Sequence, residues 1–295
     1  MLALSICLAL LAAMGNAAAS VLQRRAAADT GTADAAGPAD TAARGWWQRL
    51  VRRRVWVWGS VMLGLSGLFQ ALALATGPLA VVQPVMSTEL LFTLVVGGVV
   101  FRRSPDRRTW WAFGAMAAAL AAFLALAEPT GGRATVPAAD WLWAGLVIGA
   151  VAVGLVAVAL RLPSAPRAAV LGAATAMGFS GTAALLKDAL GRLQDGLGSV
   201  FGAWQLYAAV AVGLTSFLLL QMTFRAGTLA ASQPALTLGD ALLSVVLGVW
   251  LFDERVVVGV RGVFEAVAVV VLVVACVELA RSPLVKGGED GEGTW

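Results

Sequence analysis

Nine stretches of roughly 20 mostly apolar residues, the length a helix needs to cross the hydrocarbon of a bilayer, occupy most of this sequence. They run from Leu2 to Leu22, Val55 to Ala75, Leu79 to Phe101, Thr109 to Ala127, Ala138 to Leu160, Arg167 to Leu186, Val200 to Thr223, Leu229 to Phe252 and Val260 to Ala280. A chain crossing lipid must satisfy its own backbone polar groups, so each stretch is read as a helix. The predicted fold class is an all-α polytopic membrane protein with nine transmembrane helices. Composition agrees: 60% of the residues are hydrophobic and 13% charged, too apolar for a soluble domain of 295 residues.

The basic residues give those helices a direction. Of the 21 Lys and Arg, sixteen collect on one side when alternate connections are counted, among them Arg24, Arg25, Arg44, Arg49, Arg52, Arg53, Arg54, Arg102, Arg103, Arg107 and Arg108. By the positive-inside rule that side is cytosolic, which puts the N-terminus outside and the C-terminus inside the cell membrane. The formal net charge of +4 does not indicate a nucleic-acid partner, because the arginines fall in gaps between apolar runs and not on one aromatic-studded face. The partner implied is the lipid bilayer.

The first stretch ends in Ala17-Ala18-Ala19, which resembles a signal cleavage site, but its positive charge follows the apolar run instead of preceding it. It is expected to stay as a helix. Residues 26–43 read as a disordered cytosolic connection, rich in Ala, Asp, Thr and Gly. Trp46-Trp47 and the arginines after them suit the inner headgroup layer. The tail from 281 to 295 reads as flexible. Cys7 and Cys276 lie apart in apolar runs and make no metal spacing.

One short phrase occurs twice. Gly77, Leu79, Ala80, Gln83, Pro84 and Gly98 coincide at an offset of 150 with Gly227, Leu229, Ala230, Gln233, Pro234 and Gly248. Ala13-Met14-Gly15 and Ala176-Met177-Gly178 echo each other at an offset of 163. The order is then a first repeat of four helices over 1–127, a connecting helix over 138–160, and a second repeat of four over 167–280. Equivalent helices are an odd number of spans apart and cross in opposite directions. That is an inverted repeat, an architecture of secondary transporters whose site lies near the midplane between the halves.

The residues that carry a family likeness are Leu22-Gln23-Arg24-Arg25 closing the first span, Gly77-Pro78 and Gln83-Pro84 at the third, Lys187 closing the sixth, and the run from Gln233-Pro234 to Phe252-Asp253-Glu254-Arg255. Together they resemble the drug/metabolite transporter superfamily, most closely its EamA/NIPA-like nine-helix branch, over almost the whole chain through short motifs. The resemblance implies a carrier of small molecules or ions, and in the NIPA-like branch a magnesium transporter. Two departures stand out. The first repeat ends in Phe101-Arg102-Arg103 without the closing acid, and Gly67 stands where the magnesium branch carries an acid.

Ionisable groups inside apolar runs are costly and should face a cavity or a partner. Gln233, Thr237, Asp240 and Ser244 stand at i, i+4, i+7 and i+11, one polar face ending on Gly248. That face either lines a substrate path or packs against other polar helices. Glu89 sits near the middle of its run but about 120° around the helix from Gln83, and its repeat counterpart is Gly239, not Asp240. It either forms a carboxylate pair with Asp240 or satisfies a structural contact. Asn16 and Gln70 add polar positions on the first and second helices, while Lys187, Glu254 and Glu265 are expected near the outer boundary, where charge costs little. Trp204, Gln205 and Tyr207 read as an interfacial anchor. Pro84 and Pro234 either break their helices or open them. Gly145 and Gly149 are spaced for close helix packing, as in a homodimer.

These residues predict a secondary transporter moving a small metabolite, amine or cation by alternating access, with Asp240 as the proton-coupling or cation-binding group. A divalent cation would want several oxygen ligands, and the metal, if one is carried, is left unassigned. No cofactor is called for. With no histidine and no nucleophile beside an acid, an intramembrane enzyme is not expected. A non-transporting scaffold or partner subunit is the reading from another class.

Overall fold

The computed structural model describes residues 2–34, 54–100, 107, 111, 114, 115, 118, 132–226 and 229–254. Among them every regular element is helical: α1 (Leu2–Asp34), α2 (Arg54–Thr76), α3 (Leu79–Met86), α4 (Glu89–Val100), α5 (Ala138–Ala159), α6 (Ser164–Gly191), a 3₁₀ turn (Leu193–Asp195), α7 (Leu197–Gly202), α8 (Trp204–Ala226) and α9 (Leu229–Phe252). Six of the described helices are long and apolar enough to cross a membrane. All but a few positions of the fourth expected span, the whole of the ninth and the tail from 281 lie outside the described residues.

Boundaries differ from the sequence reading in three places. α1 runs on to Asp34, into the connection expected to be unstructured from Ala26, because Arg24 to Ala28 are good helix formers with nothing to stop the helix. The third span is divided into α3 and α4. The sixth is longer than expected and carries Lys187 and Asp188 within α6.

Prolines start several helices. Pro78, Pro137 and Pro163 occupy the N-cap positions of α3, α5 and α6 in extended conformation, and none supplies a side-chain cap. A proline there fixes φ without losing a needed donor, but the first helical N–H groups must find acceptors elsewhere.

α1 packs on α2, α3 and α4, and α6 packs on α8 and α9. The two clusters use the same contact. A methyl group at Gly15 would stand 3.3 Å from Cβ of Ser66, and one at Gly178 would stand 2.9 Å from Cβ of Ser216. Gly15 and Gly178 are related by the offset of 163, and Ser66 and Ser216 by the offset of 150. Small residues let these backbones approach closely. The outer faces are apolar: on α5, Leu142, Trp143, Leu146, Val147, Val153 and Val158 are exposed, a surface suited to lipid and not to water.

α3 begins beside the end of α9. The backbone N–H groups of Leu79 and Ala80 reach Glu254, two residues past Phe252, and a Cβ at Gly248 would meet the Ala80 nitrogen at 3.2 Å. The two helices therefore run antiparallel where they touch. Beyond the break the chain leaves α9, and α4 packs on α1.

Candidate functional site

Glu89 on α4 and Asp240 on α9 are each bonded to another helix of their own cluster. The Asn16 amide on α1 donates to Oε2 of Glu89 on α4 at 2.6 Å. The Ser180 hydroxyl on α6 lies 2.8 Å from Oδ1 of Asp240 on α9, and its proton is shared among that oxygen, the Asp240 carbonyl at 3.0 Å and the Ala176 carbonyl at 2.9 Å. The offset of 163 carries Asn16 to Phe179, one residue before Ser180. The offset of 150 carries Glu89 to Gly239, one residue before Asp240. Both members of the second pair are thus displaced by a single residue in the same direction, so the pairing itself is repeated although the positions are not.

Beside Asp240, Thr237 is partly buried, and Ser244 one turn away is 0% exposed. The Ser244 hydroxyl has no hydrogen-bond partner. Gln83 on α3 is 4% exposed. Gln70, partly buried on α2, is not joined to either acid by a hydrogen bond.

Neither proline opens its helix. Pro84 and Pro234 each stand five residues after the first residue of α3 and α9. In the first copy the helix stops three residues later, where Thr88 N bonds Val85 O at 3.0 Å and Leu90 N bonds Ser87 O at 3.3 Å, a tightened turn. The Ser87 and Thr88 hydroxyls cover the Pro84 and Val85 carbonyls at 2.6 and 2.7 Å. Glu89 follows as the first residue of α4, where the helix N-terminus favours an acid. In the second copy α9 continues without interruption, and Gln233 falls on its backbone.

A polar junction that sequence reasoning missed lies at the meeting of α3, α6 and α9. Lys187 and Glu254, expected where charge is solvated, are 8% and 2% exposed. Glu254 Oε1 accepts from Leu79 N at 2.7 Å and from Lys187 Nζ at 2.6 Å, while Oε2 accepts from Ala80 N at 2.8 Å. Lys187 Nζ also donates to the Gly77 carbonyl at 3.0 Å and sits 5.0 Å from the centre of the Phe252 ring. The carboxylate is the cap that Pro78 cannot provide. One signal could have found it: an apolar helix opened by proline needs an acceptor for its orphan donors, and the acid closing the second repeat was the obvious supply.

Beside it, Asp188 is 0% exposed. Its Oδ2 accepts from Trp141 Nε1 at 2.6 Å and Gln205 Nε2 at 3.0 Å, and its Oδ1 from Val136 N at 3.3 Å. Gln205, read as part of an interfacial anchor, is instead 2% exposed and bonded to this acid. Trp204 meets Trp141 edge to face at 6.2 Å. Arg133 clasps the end of α9, donating to the Leu251 carbonyl at 2.6 Å and to Asp140 at 2.8 Å.

Helices alone among the described residues, six of them long and apolar enough to cross a membrane, point to the class of helical membrane proteins. The chain is 28% identical over 238 residues to a protein of Corynebacterium glutamicum described as uncharacterized, a match covering 79% of this chain and 82% of that one. No family model matches the chain. No solved structure matches it.

Proposed function

We propose that the protein is a secondary transporter of the drug/metabolite type, moving a small metabolite, amine or cation across the cell membrane by alternating access with proton coupling at Asp240. The observation that carries the reading is the doubled acid: Asn16 with Glu89 and Ser180 with Asp240, each pair inside its own cluster of helices. A scaffold has no need of two such pairs. The antiparallel contact of α3 with α9, the two copies of the repeated phrase, supports halves inverted in the membrane. Nine helices, with the N-terminus outside and the C-terminus inside, complete the architecture.

In this reading the acids form the central site and the Glu254–Lys187 junction closes one mouth. Magnesium as cargo has less support, since among the described residues no three His, Cys, Asp or Glu are placed to hold a metal ion. Uptake into vesicles reconstituted with the purified protein, measured for amines, small metabolites and divalent cations with and without a pH gradient, tests the proposal. Uptake of one class above protein-free vesicles is the expected result. Absence of uptake across the whole panel, from protein that is folded and correctly inserted, would favour the scaffold.

A further inference from the structure

The repeated phrase makes one close contact in this structure and carries the residues for a second. At the start of α3 and the end of α9, Ala80 meets Gly248: a Cβ on Gly248 would stand 3.2 Å from the Ala80 nitrogen and 3.0 Å from the Glu254 carboxyl carbon. Only a glycine admits both neighbours. The Glu254 carboxylate takes the N–H groups of Leu79 and Ala80 at 2.7 and 2.8 Å, which fastens the first repeat to the second. Leu79, Leu247, Leu251 and Phe252 belong to the same apolar cluster, each 3% exposed or less. This end of α9 is shut against α3.

The offset of 150 carries Ala80 to Ala230, near the start of α9, and returns Gly248 to Gly98, near the end of α4. The residue types that make the contact therefore recur as a pair. Because α9 is unbroken, eighteen residues at 1.5 Å each put Ala230 about 27 Å from Gly248, at the far end of the same helix. There the counterpart contact is not made. Past Ser87 and Thr88 the chain leaves α9 and α4 packs on α1; among the described residues α4 has no packing on α9 like that of α3. Val95 and Val99 on α4 are 39% and 74% exposed. The two copies thus differ in shape where they agree in residue type, and the difference begins at the turn whose Ser87 and Thr88 hydroxyls cover the Pro84 and Val85 carbonyls.

We propose that the two contacts are alternatives: the protein passes between this form, shut by Ala80 on Gly248, and an opposite form shut by Ala230 on Gly98, with the Ser87–Thr88 turn as the hinge that brings α4 to α9. The proposal rests on the transporter reading and names its two gates. In the opposite form Glu254 releases Leu79 and Ala80, and the end of the bundle where α3, α6 and α9 meet comes open. Lys187, bonded both to Glu254 and to the Gly77 carbonyl, holds the first gate shut. An inverted repeat makes the exchange natural, since a shape taken by one repeat toward one side of the membrane is the shape its counterpart takes toward the other.

The test is a pair of distances between spin labels, measured by pulsed electron resonance on the full-length protein in lipid nanodiscs, with Cys7 and Cys276 replaced by serine. One pair is Thr76→Cys with Val249→Cys, beside the closed contact; the other is Ala226→Cys with Val99→Cys, its counterpart at the offset of 150. Without further change the first distance is expected to be the shorter. Gly248→Leu, which leaves no room for Ala80, should lengthen the first distance and shorten the second, and Lys187→Met combined with Glu254→Gln should move both the same way. Gly98→Leu added to that combination should cancel the shortening of the second. If Gly248→Leu does not fold, the combined Lys187 and Glu254 variant carries the test. A first distance that starts as the longer or never lengthens, a second that never shortens, or two that lengthen together would overturn the proposal. Uptake into vesicles separates the two readings: distances that exchange, with no uptake of any amine, metabolite or divalent cation of the panel, would sink transport alone, and uptake with fixed distances would sink the alternative gates alone.

Discussion

Removing both members of the Glu254–Lys187 pair should destabilise the protein by less than the sum of the two single removals. Glu254 is held by two backbone donors and one ammonium, with side-chain exposure of 1%, against 10% for Lys187. Lys187→Met leaves the carboxylate on the Leu79 and Ala80 donors but strips its counter-charge while it stays buried. Breaking one side of a buried pair costs about 3–5 kcal/mol. Glu254→Gln leaves the ammonium uncompensated and removes an acceptor from the start of α3, a cost of the same order. The double variant has no buried charge and should lose less than the sum of the singles by about 2–3 kcal/mol. Exchanging the two residues gives a sharper result. A simple ion pair would survive the exchange, but here a lysine at 254 would press its ammonium against two N–H donors at a helix N-terminus, which prefers an anion. The exchanged protein should therefore be no more stable than Lys187→Met. Denaturant titration of the purified protein, with the four variants in one cycle, measures this. Single costs that add to within about 0.5 kcal/mol, or full rescue by exchange, would refute the capping argument.

Three further outcomes follow from the packing. Asp188→Asn should lose about 2–3 kcal/mol, because an amide presents a donor where Trp141, Gln205 and Val136 already donate; chemical unfolding reads it, and an unchanged midpoint would mean the acid is incidental. Gly191→Ala should cost about 1–3 kcal/mol, since a Cβ there meets the Ala134 backbone, with its carbonyl carbon at 2.8 Å, and backbone cannot swing aside; Gly149→Ala, with open space around it, should be near neutral in the same assay. Ser244→Cys, in a chain with Cys7 and Cys276 replaced by serine, should react with an impermeant thiol reagent from one face of the vesicle and shift when a transported amine is added. Labelling that never responds to any ligand would mark the α9 face as plain helix packing.

The helices were legible because their cause is local: a run of apolar residues states its own length. So was the repeat, since Gly-x-Leu-Ala with Gln-Pro is a contiguous pattern. The acids Glu89 and Asp240 and the amide Asn16 stood out as polar groups in apolar surroundings, but their pairing did not, because a wheel drawn for one helix says nothing of what faces it. Ser180 was missed for that reason. It was one small hydroxyl on a helix already rich in small residues, and only α9 lying beside it makes it a partner for Asp240. Lys187 and Glu254 were misplaced by an average rule. Charges at the ends of apolar runs are usually solvated, whereas these two are 67 residues apart and meet because Pro78 leaves a helix uncapped. The break at Ser87–Thr88 was invisible in another way: proline drew attention to position 84, and the helix tightens three residues later, where two hydroxyls cover the carbonyls.

The most direct measurement is proton-driven uptake by Asp240→Asn in vesicles, beside the unaltered protein and with the best substrate of the panel. Asparagine keeps the shape and can still meet the Ser180 hydroxyl, but it cannot release a proton. Uptake driven by a pH gradient should fall to the level of protein-free vesicles, and any residual exchange should lose its dependence on pH. An unchanged rate with an unchanged pH dependence would contradict the role given to Asp240 and, with it, the paired-acid site.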